Sequence, residues 1–316
     1  MSLAIPGARN VYQDQALTTV AESYIPDPSV YIADMAFPPV SVDTPTGIYY
    51  SWSLGDLARV GVTQAREGTE AAEIVLPNTK LPYNVEDPFA AKIPVEYEER
   101  QKADFDILSQ KTMFLMDQMY ENREIEFGQL VDVDGEWMAD ETLTAKWDAA
   151  GDPIADVTKA RVAIHGATGF VPNTIVTSFA VTEALRNNEA IRERLRNYAN
   201  RGVLFTGNDD LSAIFKMRFL SSAAIYNAAK RGRPDDIRSI LGKSLLVMHT
   251  TTTPSRTMPS AGYCFYDADY AGGGAQSRIT RWSQDDPERD WIRAQQRFNY
   301  HKIASNLGYR FKAVIA

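Results

Sequence analysis

Residues 31–40, Tyr-Ile-Ala-Asp-Met-Ala-Phe-Pro-Pro-Val, lead into Asp43-Thr-Pro-Thr-Gly-Ile-Tyr-Tyr-Ser-Trp and then Ala65-Arg-Glu-Gly-Thr-Glu. The stretch 31–70 reads as a long, mostly extended arm with too little neighbouring apolar sequence to close a core of its own. Pro38, Pro39 and Pro45 exclude helix and central-strand pairing, because each lacks a backbone N–H and constrains the residue before it. A segment of this kind is expected to be covered by another surface.

On either side of it the pattern continues. Residues 1–30 read as a loosely structured arm with at most one short helix near Gln13–Glu22. Strand-like alternation runs from Ile48 to Val62 and from Val85 to Tyr97, and the glycines and prolines between make a two-stranded excursion the simplest geometry. Residues 104–127 predict the clearest helix: Phe105, Leu108, Thr112, Leu115, Met116, Met119, Arg123 and Phe127 recur at three- and four-residue steps. Asp104 stands at the cap and Gly128 at the end of the pattern. A second helix is predicted over Pro153–Gly166 behind Asp152. A strand follows at Asn173–Ser178, then helices at Ser178–Asn187, Glu189–Tyr198 and Asp209–Lys216. Further strands are expected at Ser244–His249, Gly262–Tyr266, Gln276–Trp282, Asp290–Ile303 and Tyr309–Ile315. The order is mixed α+β, without the regular alternation of a doubly wound sheet.

Composition narrows the function. The chain of 316 residues is 44% hydrophobic, with no run near the roughly 18 apolar residues of a membrane span. Its N-terminus lacks the order of a signal peptide. Cys264 in Gly-Tyr-Cys-Phe-Tyr reads as an inert thiol in a buried strand. The net charge of −8 conceals a division: residues 1–150 carry 26 acidic and 10 basic residues, a balance of −16, and residues 151–316 carry 15 and 23, a balance of +8. Between copies of one chain, opposite halves favour head-to-tail contact; within one copy they solvate separate faces. Basic residues without a tail or an aromatic interleave do not make a sequence-specific nucleic-acid site.

No catalytic, metal or cofactor signature emerges. Asp132-Val-Asp-Gly resembles the opening of a calcium loop but lacks its later ligands and reads as an acidic turn. Gly166-Ala-Thr-Gly is a helix end rather than a phosphate loop. His165, His249 and His301 lack metal-ligand spacing, and Met113, Met116 and Met119 read as packing. Glu96, Glu98 and Glu99 read as a solvated charge run.

Taken in order, Phe37-Pro-Pro-Val-Ser-Val, Gly47-Ile-Tyr-Tyr-Ser-Trp, Arg66-Glu-Gly-Thr-Glu and Asp290-Trp-Ile-Arg-Ala-Gln-Gln-Arg-Phe-Asn-Tyr-His-Lys-Ile-Ala-Ser-Asn-Leu-Gly-Tyr make the chain resemble tailed-bacteriophage major capsid proteins of the HK97 fold. The resemblance implies an N-terminal arm over 1–40, an extended loop over 41–95, a peripheral domain over 96–150 with its spine helix at 104–127, an axial domain over 151–280, and a C-terminal strand within 281–316 returning to the peripheral domain. It implies a non-enzymatic coat protein without cofactors, assembled in the host cytoplasm into pentamers and hexamers of an icosahedral shell around double-stranded DNA. A separate scaffolding protein, a portal and a decoration protein would be its partners. Residues expected to meet a neighbouring subunit are Phe37, Pro38, Pro39, Tyr49, Trp52, Arg59, Arg66, Glu67, Glu70 and Lys80. Some members crosslink a loop lysine to an asparagine; Lys80 is the only lysine before Lys92, and without an assignable partner it reads as a solvated side chain. An encapsulin-like bacterial compartment shares the fold and is the alternative shell, and a soluble enzyme with an unrecognised site is a third reading.

Overall fold

The computed structural model describes residues 8–52, 60, 62, 78–102, 106–149, 151–199, 209–230, 232–254, 258–271, 276–285 and 287–316. Arg59, Arg66, Glu67 and Glu70 lie outside them, as do Asp104 and Phe105.

A single long helix, Ile107–Val131, sets the frame. Asp106 is its observed cap, its Oδ1 accepting from the Leu108 and Ser109 N–H groups at 3.2 and 3.4 Å, which satisfies donors that no helix turn can. Thr112, Leu115, Met116, Met119, Arg123 and Phe127 are buried as the stripe predicts. Gly128 does not end the helix. Its absent side chain lets Ile240 approach, since a Cβ there would sit 2.9 Å from Ile240 Cγ2, and the helix continues one turn to Val131.

Against this spine lies a four-stranded antiparallel sheet in the order Ala8–Gln13, Ser277–Asp285, Glu288–Gln296, Phe89–Glu96. Ile279, Ile292, Ala294 and Val95 form one core with Leu115, Met116 and Met119 of the spine and with Leu17 and Ala21 of the helix Gln15–Ser23. Two expectations change here. The N-terminal arm is an edge strand and a docked helix of the same body, because Leu17 and Ala21 supply an apolar face that the spine buries. The stretch 290–303 is two strands, Glu288–Gln296 and Phe298–Lys302, which belong to different sheets.

The second layer is a five-stranded sheet ordered Ala139–Thr142, Gly308–Lys312, Leu245–Met248, Thr174–Ser178, Arg218–Ser222. Its inner strands are buried on both faces, as parallel or doubly covered strands require. Four helices, Pro153–Thr168, Phe179–Asn187, Glu189–Ala199 and Asp209–Phe215, accompany it. Asp152 caps the first of these, and Gly169, at φ +76°, closes it in the left-handed region that glycine reaches without a Cβ penalty. The final strand, Gly308–Lys312, pairs with Leu245–Met248 and Ala139–Thr142, because its consecutive buried residues, Gly308 to Phe311, need a covered position on both faces.

Between the two layers, Gly262–Asp267 pairs with Phe298–Lys302 on one side and, in parallel, with the edge strand Pro39–Val42 on the other. The excursion strands Thr46–Trp52 and Asn78–Asn84 make a two-stranded hairpin. The predicted second strand, 85–97, does not pair with the first. Asn84 Oδ1 accepts the Glu86 N–H at 2.8 Å, an Asx turn that sends Phe89–Glu96 into the four-stranded sheet.

Candidate assembly surfaces

The hairpin is rooted in its own chain. Tyr49 and Tyr83 lie against Phe265 with ring centroids 5.7 and 5.1 Å away, and the Tyr49 hydroxyl donates to the Lys302 carbonyl at 3.2 Å. Val85, Tyr263 and Phe265 form the small core beneath them. Of the residues expected to reach a neighbour, Tyr49 therefore anchors the hairpin, and its half-burial raises the affinity of the phenol for its proton. Lys80 is exposed on the returning strand, opposite Tyr50. Trp52 ends the outgoing strand opposite Asn78. Further out, Val60 and Val62 are 84% and 77% exposed.

Phe37 is turned into the body of its own chain. It is fully buried, edge-on to Phe127 at 5.2 Å and beside Tyr300 at 6.4 Å, and a Cβ on Gly262 would meet its ring at 2.3 Å. Its apolar ring finds spine and sheet residues of the same chain. Pro38 and Pro39 are half-buried, with the Pro38 carbonyl accepting the Cys264 N–H at 3.2 Å; proline is tolerated there because Pro39–Val42 is an edge strand.

The N-terminal segment is held to the spine by a buried charge cluster. Arg123, 2% exposed, places Nη2 3.1 Å from Asp34 Oδ1 and donates to Gln276 Oε1 at 2.7 Å and to Cys264 Sγ at 3.4 Å. Tyr300 donates to the same Asp34 oxygen at 2.9 Å. Burial alone would draw the guanidinium toward neutrality, and the Asp34 carboxylate outweighs it, so its affinity for the proton ends well above the usual one. Cys264 is the buried thiol expected, pushed up to about 11 by burial. One residue along, Glu124 Oε2 accepts the N–H groups of Ile32 and Ala33 at 3.0 and 2.9 Å, an anion at the start of the short helix Ala33–Ala36.

Burial pushes Glu124 up to about 7, against the hydrogen bonds from Ser222, Ala33 and Ile32, and the Asp34 charge adds to the rise. A carboxyl whose folded value lies above its unfolded one stabilises the fold fully at low pH, and that contribution is lost as pH rises through the folded value. Glu124→Gln stays neutral throughout. Wild type should therefore lose stability relative to this variant between pH 5 and 8, by on the order of 3 kcal/mol, in urea titrations at each pH. A difference that stays constant across that range would refute the argument.

Elsewhere the acidic turn is neutralised internally: Arg310 reaches Asp132, Asp134 and Asp140 at 3.4, 3.1 and 3.6 Å, and Lys312 reaches Asp134 at 2.7 Å. His249 Nδ1 lies 2.8 Å from the Val171 carbonyl, and His301 sits among Tyr49 and Phe265. Among the described residues, no three histidine, cysteine or carboxylate side chains come together as metal ligands, and no helix is long and apolar enough to cross a membrane.

Sequence reasoning placed Arg123 on the buried stripe but missed Glu124. The available signal was a charged pair adjoining an otherwise apolar face. It missed the Tyr83–Phe265 root as well, which depends on contacts between segments far apart in sequence.

Residues 111–232 match the family model described as phage major capsid protein E. No curated protein matches the sequence. Among solved structures, the chain is similar to a phage-related protein from Bordetella bronchiseptica, with a TM-score of 0.73 at 17% identity over 97% of this chain and 99% of that one. It is similar to the capsid of the cyanophage P-SCSP1u, with a TM-score of 0.54 at 10% identity over 91% and 89%. A virus-like particle from Pyrococcus furiosus gives a TM-score of 0.53 at 8% identity over 94% and 96%. Sequence pattern over residues 111–232 and fold over nearly the whole length agree: the chain has the HK97-like fold and is similar to phage major capsid proteins.

Proposed function

We propose that this chain is the major capsid subunit of a tailed double-stranded DNA phage, and that it closes into pentamers and hexamers of an icosahedral shell. The observation that carries the reading is the match of residues 111–232, which takes in most of the spine helix, three of the five strands of the second layer and its four helices. In this reading the hairpin within 41–95 is the extended loop, the spine with its four-stranded sheet is the peripheral domain, and much of 151–280 is the axial domain. Exposed Ile48, Val60 and Val62 on the excursion support a loop that becomes covered by a sibling. The −16 and +8 halves favour oriented contact. Scaffold, portal and decoration proteins act on it as separate partners, and DNA is enclosed without sequence-specific binding. Nothing specific favours the compartment alternative.

Negative-stain electron microscopy of the purified chain, alone and after co-expression with a candidate scaffolding protein, tests the reading. Closed shells or capsomer rings are the expected result. A protein that stays monomeric in light scattering under both conditions would overturn it.

A further inference from the structure

The four-stranded sheet has one face on the spine helix; among the described residues the reverse face joins no hydrophobic core, with Trp282 buried on it, Arg289 and Arg293 half-buried, and Lys92 exposed. Antiparallel register sets Trp282 opposite Trp291, Thr280 opposite Arg293, Gln284 opposite Arg289, and Lys92 opposite Arg293. Cross-strand partners share a face. This face is the reverse of that bearing Ile279, Ile292 and Ala294, which pack on the spine.

On it the two indoles stack at 6.2 Å with planes 16° apart. Lys92 Nζ and the Arg289 guanidinium lie 4.3 and 4.7 Å from the Trp291 ring, and Arg293 lies 5.5 Å from that of Trp282. The arginines donate to neutral groups, Arg289 Nε to Gln284 at 3.4 Å and Arg293 Nε to Thr280 at 3.1 Å. Stacking holds all three cations in place without neutralising them; Glu96 stands opposite Arg289 in the register, but among the described residues no carboxylate is in ion-pair contact with the three. Little side-chain entropy would be lost when an anion arrives.

The same chain carries a complementary surface. A cleft of about 430 Å³ between the hairpin root and the spine is lined by Glu86, Asp87 and Glu126, and none of the three is in an ion pair among the described residues. A rigid body cannot bring its own sheet face into its own cleft, but it can offer each to a sibling. Such a contact is heterologous, and repeated by rotation it closes a ring.

We propose that Lys92, Arg289 and Arg293 of one copy dock against the Glu86, Asp87 and Glu126 cleft of the next. The proposal rests on the capsid reading and adds the partner surfaces within it. Electrostatic contact of this kind speeds and orients association and weakens with salt.

Charge reversal with rescue tests it, using the full chain and particle yield by sedimentation and electron microscopy. Lys92→Glu/Arg289→Glu/Arg293→Glu should lower yield at least about tenfold, and Glu86→Lys/Asp87→Lys/Glu126→Lys should do the same. The six substitutions together should restore yield to within about threefold of wild type. Circular dichroism of each variant checks folding; should a triple variant not fold, exposed Lys92→Glu combined with Asp87→Lys reads the same contact through single changes. Unchanged yield in either reversed variant overturns the proposal. So does loss without rescue, which would mean that the cationic face serves another anion, such as a nucleic-acid backbone. A wild type that forms no particles would instead count against the capsid reading itself.

Discussion

Met116→Asp is expected to leave no soluble, folded protein. The side chain is 1% exposed in the core that joins the spine to the four-stranded sheet and to the N-terminal helix. Removing it forfeits about 1.5–3 kcal/mol of apolar burial. The carboxylate that replaces it finds no cation in that cluster, since Arg123 lies two turns away and is committed to Asp34. An unpaired buried charge costs several kcal/mol more even after relaxation, and the two terms together rival the whole stability of an ordinary domain, about 5–15 kcal/mol. Met113, on the same helix, is 41% exposed, so Met113→Asp should cost little and serves as the control. Soluble fraction and far-ultraviolet circular dichroism measure both. A Met116→Asp protein that remains soluble and assembles would show that the stripe is not core.

Excision of residues 55–80 should have the opposite profile, a folded body that builds no closed particle. The deletion leaves the hairpin root, in which Gly47, Ile48 and Tyr49 pair with Tyr83, Pro82 and Leu81 and the tyrosines rest on Phe265. The described residues of both large cores lie outside the deleted span, and the melting temperature should therefore stay within a few degrees of wild type. What disappears is the outlying part of the excursion, including exposed Val60 and Val62. Analytical ultracentrifugation should find a monomer or small oligomer. Normal shells from the shortened chain would contradict the assignment of the excursion as an inter-subunit loop.

How far the fold was legible depended on how local its causes were. The stripe from Leu108 to Phe127 and the Asp152-Pro153 start announce themselves because period and capping act within one turn. Gly128 misled, since its smallness serves Ile240 across the molecule rather than a helix end. Phe37, followed by two prolines, gives no hint that Phe127 and Tyr300 await it. The strand Gly308–Lys312 was visible as a strand, but its sheet was not, because register with Leu245–Met248 and Ala139–Thr142, segments far away in sequence, leaves no periodic trace. The paired indoles, by contrast, could have been found: Trp282 and Trp291 stand symmetrically about the turn that precedes Glu288, so one hairpin sets them opposite each other.

The placement of Gly308–Lys312 between Ala139–Thr142 and Leu245–Met248 has a bearing on timing. On the ribosome the slot between those two strands stays vacant until residues 308–312 emerge, so the second layer matures after synthesis of nearly everything it supports. A nascent subunit therefore has an incomplete five-stranded sheet until residues 308–312 have emerged.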